Sequence, residues 1–274
     1  MSTLRDIDGY HRPNTLAEAT FALRNPAARV LAGGTHLLAS PGDARILIDI
    51  NKLGLNYIKQ DGASLRIGST TTLQEICSNS LTTELLAEAA KATTVSRQLR
   101  NAKTIGGEVV SARQESLLPV VLLALDTRLK IIDPSGSENV ATLDQFYKGR
   151  RAVGGIISEF EIPSGSTHTA LERLAIIESS IPIMSVAVAL QFDGQVCNHA
   201  RVAVGSGVTV PHRILFAETH LLGRPIDAAA IDEASEIVLQ QIRCIADTRG
   251  SADYRKAISK VLTKRALTRA RAGN

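Results

Sequence analysis

Tryptophan is absent from this chain of 274 residues, and aromatic residues make up only 3% of it. The core must therefore be aliphatic, and the stacking platform on which single-stranded nucleic acids are bound is not available. Cysteine is scarce too. Cys77, Cys197 and Cys244 are the three present, far apart and without Cys-x-x-Cys or Cys/His spacing. That excludes a disulfide framework and a structural zinc site, and it leaves too few thiolates to hold an iron–sulfur cluster in this chain. Such cysteine usage fits a reducing compartment, and a cytoplasmic location is expected. No apolar run of membrane-spanning length occurs, nor a leader-like apolar segment, so no transmembrane segment is expected. The six histidines show no pair at metal-ligand spacing, no Gly-x-Ser-x-Gly elbow exists, and nothing marks a cysteine nucleophile. We expect no catalytic side chain and no metal site. A net charge of +4, from 31 basic and 27 acidic residues, is too small an excess to suggest a nucleic-acid partner.

The remainder is globular, with 44% hydrophobic and 21% charged residues, and is long enough for two or three subdomains. Glycine is where the pattern becomes specific. Three Gly-Gly pairs occur, against about one or two expected from composition. The first follows a β-type run, Arg29-Val30-Leu31-Ala32-Gly33-Gly34-Thr35-His36-Leu37-Leu38. Glycines there would let successive backbone amides converge on an anion, with Thr35 adding a hydroxyl. The second stretch, Arg100-Asn101-Ala102-Lys103-Thr104-Ile105-Gly106-Gly107-Glu108, has the same ingredients. Two such loops could clamp one extended, phosphate-bearing cofactor, although a tight turn needing glycine for conformation alone is the commoner origin of such a sequence.

Along the chain, Thr15-x-x-Glu18 opens a short amphipathic helix over Asn14–Leu23. It leads to a strand at Arg29–Ala32 and a continuous apolar strand, Ile46–Ile50, of the buried parallel kind. A hairpin about Asp61-Gly62 marks a change to antiparallel pairing. Capping at Thr72 and a helix over Thr83–Thr94 follow, then a buried helix capped by Ser116 with Pro119 in its first turn. A second hairpin turns at Asp133-Pro-Ser-Gly136, and a strand at Ile156–Ile162 closes the middle region. Thereafter come a hairpin about Asp193-Gly194 and helices capped at Asp227 and Ser251, the last with Tyr254, Ile258, Val261 and Leu262 on its inner face. Lys256, Lys260, Lys264, Arg265, Arg269 and Arg271 line that helix. A solvated face is the first reading of them, and a docking surface for an acidic partner the second. The expected segments are 1–53, 54–167 and 168–274.

Four runs in order, Leu31-Ala-Gly-Gly-Thr-His-Leu-Leu, Ile46-Leu-Ile-Asp-Ile, Leu99-Arg-Asn-Ala-Lys-Thr-Ile-Gly-Gly and Leu118-Pro-Val-Val-Leu-Leu-Ala-Leu-Asp126, resemble the FAD-binding medium subunit of molybdenum hydroxylases of the xanthine dehydrogenase and carbon monoxide dehydrogenase type. The resemblance implies an α+β protein with a PCMH-type FAD-binding fold: a small N-terminal α/β unit, a mixed or antiparallel middle domain, and a C-terminal antiparallel sheet with helices. It implies FAD held by Ala32, Gly33, Gly34, Thr35, His36 and Leu37 in the first loop and by Thr104, Ile105, Gly106, Gly107 and Glu108 in the second, with Arg173 facing the flavin. Gly106 and Gly107 would supply backbone donors there. It implies an oxidoreductase subunit that takes electrons from a partner's [2Fe–2S] clusters and passes them to a terminal acceptor. Its partners would be a small [2Fe–2S] subunit and a large subunit carrying the molybdenum cofactor, in a dimer of heterotrimers.

Three positions depart from the family pattern. Glu108 stands where Asn is usual, and Arg113 and Leu117 stand where acidic residues meet the ribose and adenine side. An unneutralised carboxylate beside a pyrophosphate repels it, and a leucine accepts no hydroxyl. These departures motivate an alternative, a flavin-poor or flavin-free structural subunit of such a complex.

Overall fold

The computed structural model describes residues 7–149, 154–165, 167–178 and 180–273. In chain order the elements are β1 (Gly9–His11), α1 (Leu16–Ala22), β2 (Ala28–Leu31), β3 (Ile46–Asp49), β4 (Ile58–Asp61), β5 (Ser64–Gly68), α2 (Leu73–Ser78), α3 (Glu84–Thr93), α4 (Arg97–Ala102), α5 (Ile105–Ser111), α6 (Leu118–Ala124), β6 (Arg128–Ile132), β7 (Glu138–Thr142), α7 (Leu143–Lys148), β8 (Ile156–Pro163), β9 (His168–Leu174), β10 (Met184–Asp193), β11 (Val196–Gly205), β12 (His212–Arg213), α8 (Leu215–Leu221), α9 (Ala228–Gln241) and α10 (Ala252–Ala272). They form two compact units. The first comprises Met1–Thr83, Thr94–Ser111 and Thr127–Pro163, and the second Glu84–Thr93, Ala112–Asp126 and Ser164–Asn274.

The first unit holds two sheets. One is parallel, in the order β1-β3-β2. The central place of β3 explains its unbroken apolar sequence, since Leu47, Ile48 and the following Ile50 are all buried. Helix α1 enters as expected, the Thr15 hydroxyl accepting from the Glu18 amide at 3.1 Å, and Ala19 seals the core with Ala28, Ile48 and Ile50. The other sheet is antiparallel throughout, in the order β4-β5-β8-β6-β7. Helix α2 has the full reciprocal capping box between Thr72 and Glu75. The stretch before Glu108, read from sequence as a loop, contains α4 and the first turn of α5, with Gly106 and Gly107 inside the helix.

In the second unit the antiparallel order is β12-β11-β10-β9. β10 is an inner strand whose residues Met184–Leu190 are all buried, and Met184, Val186, Val188 and Leu190 share one core cluster with α9 and α10. Helix α6 is buried along its whole length, as its apolar run predicts. Its cap differs from expectation. Ser116 makes no capping bond and its hydroxyl is buried without a partner; instead Thr93 Oγ1 of α3 accepts from the Leu117 and Leu118 amides at 3.1 and 3.3 Å. A hydroxyl from a distant segment does the work that local sequence assigned to the nearest serine.

Helix α10 also departs from its apolar reading. Tyr254 and Val261 are exposed, and the buried face carries Arg255, Ser259, Leu262, Thr263, Ala266, Leu267 and Ala270. Polar residues are tolerated there because each is bonded. Ser259 and Thr263 donate to helix carbonyls at 2.7 Å, and Arg255 donates to the Ile245 carbonyl and pairs with Asp247. Three of the six basic residues are ion-paired: Lys260 with Glu236, Lys264 with Asp232, and Arg269 with Glu172, at 2.6, 2.6 and 2.8 Å. Those charges staple α10 to α9 and β9 rather than forming a purely solvated face.

The whole matches the expected architecture: a parallel N-terminal sheet with its helix, an antiparallel middle sheet, and a C-terminal antiparallel sheet with flanking helices.

Candidate functional site

β2 ends at Leu31, whose carbonyl accepts from the Ile50 amide at 3.0 Å, and the chain then leaves the sheet. Ala32, Gly33 and Gly34 span the exit. Thr35 to Ala39 form a tight turn in which the Leu38 amide donates to the Gly34 carbonyl at 3.0 Å and the Ser40 amide to that of His36 at 2.9 Å. Gly34 has φ +69°, a conformation that L side chains rarely adopt. Gly33 is needed for a different reason. A Cβ there would lie 1.8 Å from the carbonyl oxygen of Ala102, so the first loop lies directly against the end of α4. The two glycine stretches therefore meet through Gly33 and the Ala102–Lys103 backbone.

The loops offer different chemistry. Among the described residues, no protein acceptor is found for the amides of Gly33, Gly34, Thr35 and Leu37. Backbone donors with no internal partner, gathered at a strand exit, are what an anion such as a pyrophosphate requires. His36 is exposed beside them and has an interaction of its own within the protein.

The second stretch keeps its amides occupied. Ile105 donates to the Thr71 carbonyl and Gly106 to the Ser69 carbonyl, each at 3.0 Å. Gly107 donates to Thr104 Oγ1 at 3.1 Å and Glu108 to the Thr104 carbonyl at 3.0 Å. Buried Thr104 is thus the cap of α5, and Gly106 allows that helix to pack close to Ser69, whose carbonyl would lie 2.8 Å from a Cβ. The backbone donors expected from Gly106 and Gly107 are spent inside the protein.

Glu108, the most conspicuous departure, is buried, and its Oε1 accepts from Lys103 Nζ at 2.9 Å. The neighbouring cation neutralises the charge that would repel a phosphate, a partner that the spacing of five residues does not advertise. Its Oε2 has no partner. Leu117 is fully buried, packed where the family pattern places an acid, and Arg113 pairs with Glu115. Arg173 lies on β9 in the second unit, and its guanidinium donates to the Glu178 carbonyl at 3.0 Å.

Sequence reading missed the residues that brace the first loop. Asp49, at the end of β3, accepts at Oδ1 from the Asn51 amide at 2.9 Å and from Asn51 Nδ2 at 2.7 Å. The Tyr10 hydroxyl donates to its Oδ2, and Arg12 Nε lies 3.4 Å away. Burial alone would push the Asp49 carboxyl up, but the bonds from Tyr10 and Asn51 together hold it below the usual range. Asn51 Nδ2 also donates to the Ala32 carbonyl at 3.1 Å. A polar pair closing an apolar strand was the available signal.

Residues 4–165 match the family described as the FAD binding domain in molybdopterin dehydrogenase, and residues 170–270 match the CO dehydrogenase flavoprotein C-terminal domain. The chain belongs to the FAD-binding subunits of the molybdopterin dehydrogenases. Full-length relatives agree. It is 31% identical to the glyceraldehyde dehydrogenase medium chain of Sulfolobus acidocaldarius over 94% of this chain and 96% of that one. It is 29% identical to the xanthine dehydrogenase FAD-binding subunit of Escherichia coli O157:H7 over 97% and 96%. Among solved structures, carbon monoxide dehydrogenase from Hydrogenophaga pseudoflava, in a form lacking the Mo-pyranopterin moiety, aligns with TM-score 0.90 at 28% identity over 97% of this chain and 98% of that one. This FAD-binding subunit is an oxidoreductase component, an electron-transfer element of a multi-subunit molybdenum hydroxylase whose activity depends on the other subunits. No described helix is long and apolar enough to cross a membrane, and no described cluster of His, Cys, Asp or Glu could hold a metal ion.

Proposed function

We propose that the chain holds FAD chiefly through its first loop, with the unpartnered amides of Gly33, Gly34, Thr35 and Leu37 on the pyrophosphate and the Thr35 hydroxyl beside them. Those four amides are the observation that carries the reading. The residues present fit the group, since a phosphate needs donors and the buried carboxylate of Glu108 is neutralised by Lys103. Ala32, His36 and the segment Thr104–Glu108 frame the site. Bound FAD would supply a redox centre able to receive electrons from a partner's [2Fe–2S] clusters and release them to a terminal acceptor. The protein's own part is binding, orientation and exclusion of water. The assembly is a dimer of heterotrimers with a small [2Fe–2S] subunit and a large molybdenum-cofactor subunit, in the cytoplasm, and the division at 53/54 and 167/168 belongs to the same proposal. Relatives named for glyceraldehyde and xanthine match this chain over nearly its whole length, and a solved structure named for carbon monoxide dehydrogenase shares its fold, which supports substrate choice being made on another subunit.

A second reading, a flavin-poor structural subunit, is favoured by the internal commitment of every amide from Ile105 to Glu108. One measurement separates the two. The chain is purified alone and with co-produced partners, denatured, and the released FAD is compared with protein. We expect close to one FAD per chain. Absence of FAD from both preparations, even after soaking in excess, would leave the structural reading standing.

A further inference from the structure

We infer that Asn51 is a positioning residue for the cofactor's anion, setting the direction of the Gly33 amide without touching the ligand. This inference rests on the FAD reading of the first loop and deepens it. A trans peptide is planar, so its carbonyl and the next residue's N–H point in opposite directions. No described peptide bond is cis. The Ala32 carbonyl is held by Asn51 Nδ2 at 3.1 Å, so the Gly33 N–H of the same peptide is turned away from Asn51, to the side on which it finds no protein acceptor. The preceding carbonyl, of Leu31, is held by the Ile50 amide. Two consecutive peptides are therefore fixed before the loop begins, one by the sheet and one by a side chain.

Asn51 is suited to this by being held itself. Both hydrogens of its amide nitrogen are committed, one to Ala32 and one to Asp49 Oδ1 at 2.7 Å, and its backbone amide donates to the same carboxylate oxygen. The other oxygen of Asp49 receives the Tyr10 hydroxyl. The chain of bonds runs from β1 through the end of β3 to the strand exit of β2, and all of it lies in the first unit. Freed from it, the Ala32–Gly33 peptide could rotate, and an anion would have to stop that rotation on binding.

The test uses the full chain as wild type, Asn51→Ala, Asn51→Asp and Tyr10→Phe. Affinity for FAD and for ADP is measured by calorimetric titration, and the thermal midpoint of each ligand-free protein is recorded. Asn51 is exposed, so Asn51→Ala should fold with a nearly unchanged midpoint while FAD and ADP both bind about tenfold more weakly. Asn51→Asp should bind more weakly still, because its carboxylate faces both Asp49 and the Ala32 carbonyl. Tyr10→Phe should lie between wild type and Asn51→Ala. A signature that mere loss of stability would not produce is the Gly33 amide resonance, expected to shift on adding inorganic pyrophosphate to wild type and much less in Asn51→Ala. Tight FAD binding by wild type and equally tight binding by Asn51→Ala would overturn the inference and leave the FAD reading intact. No FAD binding by wild type would overturn that reading; the inference would then stand or fall on pyrophosphate, and a Gly33 shift that is equal in the two proteins or missing from wild type would end it.

Discussion

At the scale of single residues, the two glycine pairs do different work. Gly33 and Gly34 leave amides open, whereas Gly106 and Gly107 lie in a helix whose first amides are used by Ser69, Thr71 and Thr104. The sequence Gly-Gly is the same in both places and cannot distinguish a donor array from a close helix packing, because the difference lies largely in the Thr71 and Ser69 carbonyls, more than 30 residues away in the chain. Gly33 gives the sharper prediction. Its missing Cβ is occupied by the Ala102 carbonyl at 1.8 Å, so Gly33→Ala requires the loop or the end of α4 to move. Overpacking of this kind costs roughly 1–3 kcal/mol. Urea unfolding should show that loss, and FAD affinity should fall with it. An unchanged unfolding midpoint together with wild-type flavin content would mean that the loop does not lie against α4.

At the scale of elements, the sequence was legible wherever the signal was local. The strand β3, the hairpins, the Thr72–Glu75 box and the caps at Thr15, Asp227 and Ser251 all follow from neighbours within a few residues. It failed where a partner follows no helical or strand period. Lys103 neutralising Glu108 at a spacing of five, Arg255 buried on α10 and paired with Asp247 before the helix begins, and Thr93 capping α6 from another helix have no periodic signature. The Thr93 case is open to test. Its hydroxyl donates to the Ala89 carbonyl at 2.8 Å and accepts from the first two amides of a wholly buried helix. Thr93→Val keeps the shape and removes the cap, leaving those amides unsatisfied at a cost of about 1–3 kcal/mol. Chemical denaturation of the variant should show it, and Ser116→Ala should change little, since Ser116 makes no capping bond. A reversed order of the two variants would restore the local reading of this cap.

At the scale of the molecule, the second unit is fastened by charge at two places, and both bear on its tolerance of acid. Asp126, just past α6, accepts from His199 Nε2 at 3.3 Å, from Arg201 at 2.6 and 2.9 Å, and from Arg213 at 2.9 Å. Burial alone would push its carboxyl up, but the bonds from His199 and Arg201 and the charges of Arg201 and Arg213 outweigh that and hold it far below the usual range. Asp247 is held down in the same way, first by Arg255 and then by Arg249. A carboxyl that is more acidic when folded than when unfolded stabilises the fold fully above its unfolded value, near 4 for aspartate. That stabilisation is lost as the pH falls through the depressed folded value, because the proton must then be taken up by a group the native contacts keep ionised. Stability should therefore be flat in this respect from neutrality down to about pH 4 and decline below it. In Asp126→Asn the deficit relative to wild type should be greatest on the flat part and shrink in acid, where wild type itself becomes protonated. Urea midpoints of the two proteins at a series of pH values give the difference directly. A deficit that stays constant into the acid range would show that the Asp126 network acts by shape and not by charge.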